Sequence, residues 1–320
     1  MKKYVYLIFI ILNIFITIFG CSIKSEPAIS NEPNLNDEIY FNIESDSDIL
    51  QIYTFNVGKA DAFLIKTKNF TVMIDTGENK HGAEIAAFLS EKNITVIDYL
   101  IITHFHKDHI GGAHIIIDNI TVNEIIVPNY GKESKHYERF VSAAEKTGTE
   151  INVIKETTEF MTDGAKFIVY PPQSEYYYFK DVDSDDDEDD DNAEELNGNN
   201  VGENDYSLVI TINHGNNNFL FTGDAKSKRL EEILSIEDII NTEYDFLKVP
   251  HHGRYNKKSI DFIKMVKPQY AVITCSEKDP PNKKIISALA EMGAEIYYTV
   301  NGDIYCVSNG ESLLIKYYQN

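Results

Sequence analysis

A chain of 320 residues, 43% of them hydrophobic, has enough apolar material for one large domain or two small ones. The formal net charge is −22, and eleven acidic residues fall within Asp181–Glu195. This balance excludes the broad basic face that non-specific nucleic-acid binding needs, although it allows a small basic cleft.

The N-terminal segment has the pattern of an export signal. Met1-Lys2-Lys3 is positive, residues 4–19 are mainly apolar, and Ile18-Phe19-Gly20-Cys21 is similar to the cleavage site of bacterial lipoprotein signals. The sequence therefore predicts a signal peptide over residues 1–20 and a lipid on Cys21, followed by a flexible tether over residues 21–48. The lipid would anchor the protein to the extracellular face of the bacterial cell membrane. An uncleaved signal anchor is the alternative, because the apolar run is only slightly short for a membrane span.

Residues 49–320 are expected to form the folded part, and its first half begins with strands. Strands are predicted at 49–56, 61–67, 70–74, 96–103, 124–127, 151–155 and 165–170, and helices at 82–92 and 134–146. Gly148 closes the second helix, and Asp163-Gly164 is a hairpin turn signal.

Residues 181–200 are acidic and rich in Asn, have no apolar face, and are predicted to be a disordered, solvated insertion. Beyond them, strands are predicted at 207–213, 218–221, 246–249, 271–274, 296–298, 304–307 and 312–317, and helices at 226–235, 259–266 and 284–292. His214 is expected at the surface, in the hairpin turn between the strands at 207–213 and 218–221. Cys275 and Cys306 lie in strand-like segments and are expected as buried thiols or as a disulfide. The mixture predicts an α/β sandwich of two mixed sheets with outer helices.

The most informative motif is His104-Phe105-His106-Lys107-Asp108-His109, which follows a buried strand and precedes Gly111-Gly112. Three imidazoles and one carboxylate within six residues form a dense set of metal-ligand atoms. His104 and His106 can face one ion from an extended turn, while Asp108 and His109 reach toward a second. Nitrogen and oxygen donors of this kind suit zinc, manganese or iron.

Two further polar clusters follow apolar strands: Asp224 comes after one strand, and His251-His252 after another. Strand ends in an α/β sheet converge on one edge, where loops form a site. We therefore expect both clusters to lie near the histidine motif.

At these residues the chain resembles the metallo-β-lactamase superfamily of hydrolases, and within it the ComEC-like branch of competence-protein hydrolase domains. Six segments carry the resemblance in the order of the family: residues 55–62 (FNVGKADA), 73–77 (MIDTG), 103–112 (THFHKDHIGG), 204–209 (NDYSLV), 219–224 (FLFTGD) and 247–253 (LKVPHHG). It covers residues 49 to the C-terminus apart from the acidic insertion. It implies an αββα sandwich with the metals at one edge.

The resemblance also implies a ligand set for one or two divalent ions, zinc before manganese or iron. His104 and His106 would hold one ion, Asp108 and His109 with one of the pair His251-His252 would hold the second, and Asp224 would bridge them. His251 is preferred because it comes first after the strand, and His252 is the alternative. Asp75 would support the ligand loop from behind.

The chain departs from the superfamily pattern in the segment before Asp224. Many members have a histidine there, whereas this chain has Asn204-Asp205-Tyr206-Ser207. Water or Asp205 would therefore complete the coordination of the first ion. Lys59-Ala60 and Arg254 also differ from relatives. These changes bear on substrate preference more than on the chemistry.

The function implied is hydrolysis of phosphodiesters by a metal-activated water, with DNA or cell-envelope phosphoesters as substrates. Asp108 would orient the water or accept its proton, and Lys248 or Arg254 would stabilise the developing charge. Surface charge is an equally good interpretation of either cation. A basic rim is expected from Lys226, Lys228, Arg229, Arg254, Lys257 and Lys258. The alternatives are lactone or lactam hydrolysis and a non-catalytic, metal-binding surface protein. The sequence indicates no protein partner.

Overall fold

The computed structural model describes residues 49–173, 177–178 and 200–318. The predicted signal peptide and tether, and the acidic insertion up to residue 199, lie outside the described residues. Within the described part, no helix is long and apolar enough to cross a membrane.

Seventeen strands are described, most of them in two large sheets. They are β1 Leu50–Thr54, β2 Ala62–Lys66, β3 Thr71–Thr76, β4 Val96–Ile101, β5 Thr121–Pro128, β6 Glu150–Ile154, β7 Thr158–Met161, β8 Ala165–Tyr170, β9 Tyr177–Tyr178, β10 Asn200–Val201, β11 Val209–His214, β12 Asn217–Phe221, β13 Phe246–Lys248, β14 Tyr270–Ile273, β15 Glu295–Tyr298, β16 Ile304–Ser308 and β17 Leu313–Tyr317.

Eight α-helices are described in the same part of the chain. They are α1 Asn79–Glu91, α2 Lys107–Ile110, α3 Ala113–Asn119, α4 Lys135–Thr147, α5 Ser227–Ile233, α6 Glu237–Ile240, α7 Ser259–Val266 and α8 Lys283–Glu291. Short 3₁₀ helices cover Glu203–Tyr206, Pro250–Gly253 and Thr299–Asn301. The ends of α4 follow the sequence closely, because the Ser134 hydroxyl accepts from the Tyr137 amide and Gly148 adopts a positive φ of 75°.

Sheet A has eight strands in the order β17-β16-β1-β2-β3-β4-β5-β6, and sheet B has seven in the order β15-β14-β13-β12-β11-β8-β7. Strands β3 to β6 run parallel in sheet A, and β12 to β15 run parallel in sheet B. The predicted fold of two mixed sheets with helices is confirmed. The sequence missed β7, β9, β10, α2, α3 and α6, and β10 begins at residue 200, the last residue of the predicted insertion.

Two clusters of buried apolar side chains form much of the core. The first lies between the sheets, where residues such as Ile52, Phe63 and Phe167 pack together. The second lies between sheet B and its helices, with Leu230 and Phe262 among its members. Cys275 and Cys306 are buried free thiols, so the disulfide alternative is wrong.

Candidate metal centre

Polar side chains gather where parallel strands end. Asp75 stands near the end of β3, His104 follows β4, Asp224 follows β12, His252 follows β13, and Thr274 follows β14. The carboxyl ends of parallel strands share one edge of a sheet, so loops from both sheets bring these residues to a single place.

Four of the seven predicted ligands form a compact buried cluster. One ligand atom from each of Asp108, His109, Asp224 and His252 lies within 4.8 Å of the others. His252 Nε2 is 3.0 Å from Asp224 Oδ2 and 3.4 Å from Asp108 Oδ2, and His109 Nε2 is 3.3 Å from Asp224 Oδ2.

Helix α2 carries Asp108 and His109 into this cluster, and glycine lets it pack closely. A Cβ atom on Gly112 would lie only 2.3 Å from the carbonyl oxygen of Thr76. The Thr76 hydroxyl in turn donates to the carbonyl oxygen of His109 at 2.8 Å. A larger residue at position 112 would therefore push the ligand helix away from β3.

The chain turns sharply at the histidine pair. His251 and His252 both have positive φ, 48° and 53°, a conformation that costs energy in residues with a Cβ. The turn directs His252 toward the two carboxylates, whereas His251 Nε2 lies 3.5 Å from Asn204 Nδ2 and is not part of the four-residue cluster. The geometry therefore favours His252 over His251, because two consecutive side chains in such a turn point in different directions.

Hydrogen bonds behind the histidines fix which ring nitrogen carries the proton. His109 Nδ1 lies 2.8 Å from Asp75 Oδ2, which can only accept. His252 Nδ1 lies 2.9 Å from Thr274 Oγ1, and that hydroxyl donates its own proton to Asp61 Oδ1 at 2.7 Å. Both Nδ1 atoms are consequently donors. In the neutral rings, both Nε2 lone pairs face the cluster.

This arrangement fits a bound cation. Within the described part of the chain, His109 Nε2 and His252 Nε2 are buried without a hydrogen bond of acceptable geometry, although carboxylate oxygens lie close to each. Lone pairs and carboxylates that converge on one point repel each other unless a positive charge lies between them. The cluster is therefore able to bind a divalent metal ion.

His104 and His106 form a second pair of converging nitrogens beside the cluster. His104 Nε2 and His106 Nδ1 are 3.1 Å apart, and the rings of His104 and His109 have centroids 4.0 Å apart. Burial, together with His109 and His106, holds the pKa of His104 well below its usual value, so the ring is neutral and can act as a ligand. The His106 side chain is 31% exposed, which opens the site to solvent.

The pKa shifts of His109 and Asp224 show that the four-residue cluster attracts positive charge. Burial lowers the pKa of His109, yet Asp224, Asp75 and Asp108 outweigh burial and hold this pKa well above its usual value. Burial raises the pKa of Asp224, but His252 and His109 hold it well below its usual range. The pKa of His252 is raised as well, so without a metal His109 and His252 would hold a second proton that a metal ion must displace.

Lys248 is buried behind the cluster, with only 1% of its surface exposed, so its interpretation as a surface charge is wrong. Its ammonium donates to Gly223 O at 2.7 Å and to Asp224 Oδ1 at 3.2 Å, and it pairs with Asp61 Oδ2 at 2.6 Å. These three acceptors match the three N–H donors of lysine. Lys248 thus holds one oxygen of Asp224 while the other faces the histidines. Its catalytic role stays a prediction.

Asp61 is a site residue that sequence reasoning did not assign. It lies between Lys248 and the Thr274 hydroxyl behind His252, and it is 1% exposed. A signal was present, because Asp61 stands in one of the six segments of the resemblance and directly precedes a strand.

Two other expectations are corrected by burial. His214 is 2% exposed, and its Nδ1 lies 2.8 Å from Ser308 Oγ in the opposite sheet, so it is not a surface residue. Arg229 is fully buried and donates to Ser207 O and Tyr170 O, so it does not belong to a basic rim. Asp205 accepts from the Arg229 amide at 3.0 Å and lies outside the four-residue cluster.

Comparison with known proteins identifies the family. The family model described as "Metallo-beta-lactamase superfamily" matches residues 56–276. The chain belongs to the metallo-β-lactamase superfamily.

Two curated relatives are ComEC-like competence proteins, which confirms the resemblance to that branch. The chain is 24% identical over 288 residues to ComE operon protein 3 of Bacillus subtilis, covering 83% of this chain and 34% of that protein. It is 26% identical over 235 residues to Recombination protein 2 of Haemophilus influenzae, covering 72% of this chain and 25% of that protein. The chain thus spans about a third or less of the length of these relatives.

Among solved structures, the metallo-β-lactamase fold protein YhfI of Bacillus subtilis is similar, with a TM-score of 0.49 and 10% identity. The match covers 84% of this chain and 100% of that chain. Members of the superfamily are generally hydrolases, and this chain has a His/Asp cluster able to bind a metal.

Proposed function

We propose that this protein is a surface-anchored, metal-dependent hydrolase that cleaves phosphodiesters. The observation that carries the proposal is the convergence of two unpartnered imidazole nitrogens and two carboxylates at one buried point. In the metal-free protein, protons on His109 and His252 balance the carboxylates, and a divalent ion would take the place of those protons.

A divalent ion held there would act as a Lewis acid and lower the pKa of a water molecule to about 7. The protein's own groups supply the rest. Asp75 holds the ring of His109 through Nδ1, and Lys248 fixes the orientation of Asp224.

Asp108 is the group best placed to accept a proton from an attacking water. Burial raises the pKa of this carboxyl, but His109 and His252 hold it well below its usual range. Asp108 is therefore ionised at neutral pH, and its Oδ2 lies 3.4 Å from His252 Nε2. General-base catalysis of this kind typically contributes about 10²–10⁴-fold to a rate.

Cations that follow Asp224 and His252 closely in the sequence favour a phosphate-bearing substrate. Five of the six basic residues expected at the rim are exposed or partly exposed: Lys226, Lys228, Arg254, Lys257 and Lys258. Positive charge near a cleft attracts anionic substrates and strengthens in low salt. DNA and cell-envelope phosphodiesters such as decorated teichoic acids share this chemistry, and the similarity to competence proteins favours DNA. A lactone or lactam substrate gains less from these cations.

The anchor is proposed from the sequence of the first 21 residues alone. Cleavage before Cys21 would leave a lipid-modified N-terminus on the outer face of the membrane. Metabolic labelling with a fatty-acid analogue tests this, since a Cys21→Ala variant should lose both the label and the membrane fraction. A wild-type protein that takes up no label, together with a Cys21→Ala variant that stays in the membrane fraction, would favour the signal anchor instead.

The activity is tested on residues 22–320 loaded with zinc, manganese or iron. Bis-p-nitrophenyl phosphate is the general substrate, and single-stranded DNA, double-stranded DNA, wall-polymer fragments and a lactone form the panel. We expect turnover of phosphodiesters that falls at least about 10²-fold in Asp108→Ala. Turnover of the lactone but of no phosphodiester would show that lactones, and not phosphodiesters, are the substrate class. Metal binding without turnover of any substrate would support the non-catalytic alternative.

A further inference from the structure

A buried carboxylate on the far side of His106 forms a second polar network. Glu203 is 8% exposed and lies in the 3₁₀ helix Glu203–Tyr206. Its Oε2 is 3.2 Å from His106 Nε2 and 2.6 Å from Lys132 Nζ, and its Oε1 accepts from the Tyr130 hydroxyl at 3.0 Å.

Tyr130 extends this network to the backbone of the histidine motif. The Phe105 amide donates to the Tyr130 hydroxyl oxygen at 2.6 Å, and the same hydroxyl donates to Glu203. Glu203 is therefore connected to the His106 ring directly and, through Tyr130, to the peptide that joins His104 to His106.

The direction of these bonds assigns the proton on His106. An ionised carboxylate only accepts, so the His106 nitrogen that faces Glu203, Nε2, must be the donor. In the neutral ring, the lone pair is then on Nδ1, which lies 3.1 Å from His104 Nε2.

His104 is fixed in the complementary way. The Thr103 hydroxyl donates to Asp75 Oδ2 at 2.7 Å, so His104 Nδ1 donates to that hydroxyl oxygen across 3.1 Å. Two lone pairs, His104 Nε2 and His106 Nδ1, consequently face each other, and a cation between them removes the repulsion.

Glu203 directly precedes Asn204-Asp205-Tyr206-Ser207, the segment that departs from the superfamily pattern. That segment supplies no histidine, but the residue before it supplies a carboxylate that contacts His106 from the side away from His104. Partners of this kind typically alter metal affinity about 10–100-fold.

We propose that Glu203 is a positioning residue that holds His106 with its proton on Nε2 and its Nδ1 directed to the ion shared with His104. Lys132 and Tyr130 hold Glu203 in that orientation. The inference rests on the metal centre of the proposed function and adds to it a residue that orients one of its ligands.

The test measures metal affinity by competition with a chromophoric chelator, using Zn²⁺ and Co²⁺ on residues 22–320. In Glu203→Gln we expect the ion at His104 and His106 to bind about 10–100-fold more weakly than in the wild type. Glu203→Asp keeps the charge with a shorter reach and should lie between the two. Glu232→Gln is the matched control, since Glu232 is another buried carboxylate, 8% exposed, that pairs with Arg229 away from the cluster.

Two further measurements separate positioning from general loss of structure. Long-range ¹H–¹⁵N spectra of the zinc-loaded protein should show His106 bound through Nδ1 and protonated on Nε2, and this signature should change in Glu203→Gln. In His106→Ala, the additional change Glu203→Gln should cause no further loss of affinity, because Glu203 acts through His106.

The outcomes distinguish this inference from the proposed function. Wild-type affinity in Glu203→Gln, or an additive loss in the double variant, would overturn the inference. A wild-type protein that binds metal with the expected His106 signature but hydrolyses nothing would overturn only the function. If Glu203→Gln does not fold, the double variant is replaced by His106→Ala with Glu203→Asp, and an additive loss again refutes the inference. A wild-type protein that binds no metal would overturn both.

Discussion

Replacing Lys248 with methionine tests the charge balance behind the candidate metal centre. Methionine keeps the length and the apolar stem of lysine but removes the ammonium. Asp61 and Asp224 would then be buried without the cation that now lies 2.6 Å from one and 3.2 Å from the other.

The expected cost follows from this burial. Lys248, Asp61 and Asp224 are each 2% exposed or less, so solvent does not screen their charges. Removing one partner of a buried pair typically costs about 3–5 kcal/mol, because an uncompensated charge remains. For a domain of this size that corresponds to a Tm lower by roughly 6–20 °C.

Urea unfolding at pH 7.5 in the presence of EDTA measures the effect, and repetition with saturating Zn²⁺ separates the two carboxylates. A bound ion neutralises Asp224, so the deficit of Lys248→Met should shrink with zinc but persist in part because of Asp61. Adding Asp61→Asn should recover stability in the metal-free protein, since it removes the other unpaired charge.

The control is Lys166→Met, which breaks the surface pair of Lys166 Nζ with Glu159 Oε2 at 2.8 Å. Solvent and salt screen that pair, and we expect little change. A Lys248→Met protein that loses less than about 1 kcal/mol in EDTA, or one that Asp61→Asn destabilises further, would refute the charge argument.

Three other variants test separate parts of the structure. His252→Ala should lower the metal stoichiometry or affinity more than His251→Ala, because of the two histidines only His252 faces Asp108 and Asp224. Metal analysis after dialysis measures this, and a larger effect of His251→Ala would contradict the assignment. Burial raises the pKa of Asp205 to about 6 in the folded state. The unfolded state loses this proton at a lower pH, so the stability that this group contributes is lost as the pH rises through 6. Asp205→Asn should therefore stabilise the protein by up to about 3 kcal/mol above pH 6 and have little effect at pH 4. Equal effects above pH 6 and at pH 4, measured by urea unfolding, would refute this prediction. Replacing residues 181–195 with a short Gly-Ser linker should leave the Tm nearly unchanged, because Arg229 donates hydrogen bonds to Tyr170 O before the insertion and to Ser207 O after it. A large decrease in Tm would show instead that the acidic segment stabilises the fold.

The sequence predicted much of the local structure because local patterns encode it. Apolar runs marked most strands, and Ser134 and Gly148 marked the ends of one helix through hydrogen bonding and a positive φ. The pattern failed at β7 and at helices α2 and α3. Gly111 and Gly112 predict a turn, and they do separate two helices: α2 ends at Ile110 and α3 begins at Ala113. Gly112 also packs so closely against Thr76 that a side chain would not fit there.

By itself, the sequence determined the superfamily, the order of the strands along the chain and the dense histidine motif, since these depend on residues close together in the chain. Tertiary structure alone decided that His252 faces the carboxylates, that Lys248 is buried against Asp61, and that Glu203 contacts His106. The physical reason is that hydrophobicity and turn propensity act over a few residues. The direction of a side chain in a strained turn, and the charge that compensates a buried group, depend on which strands end at the same edge.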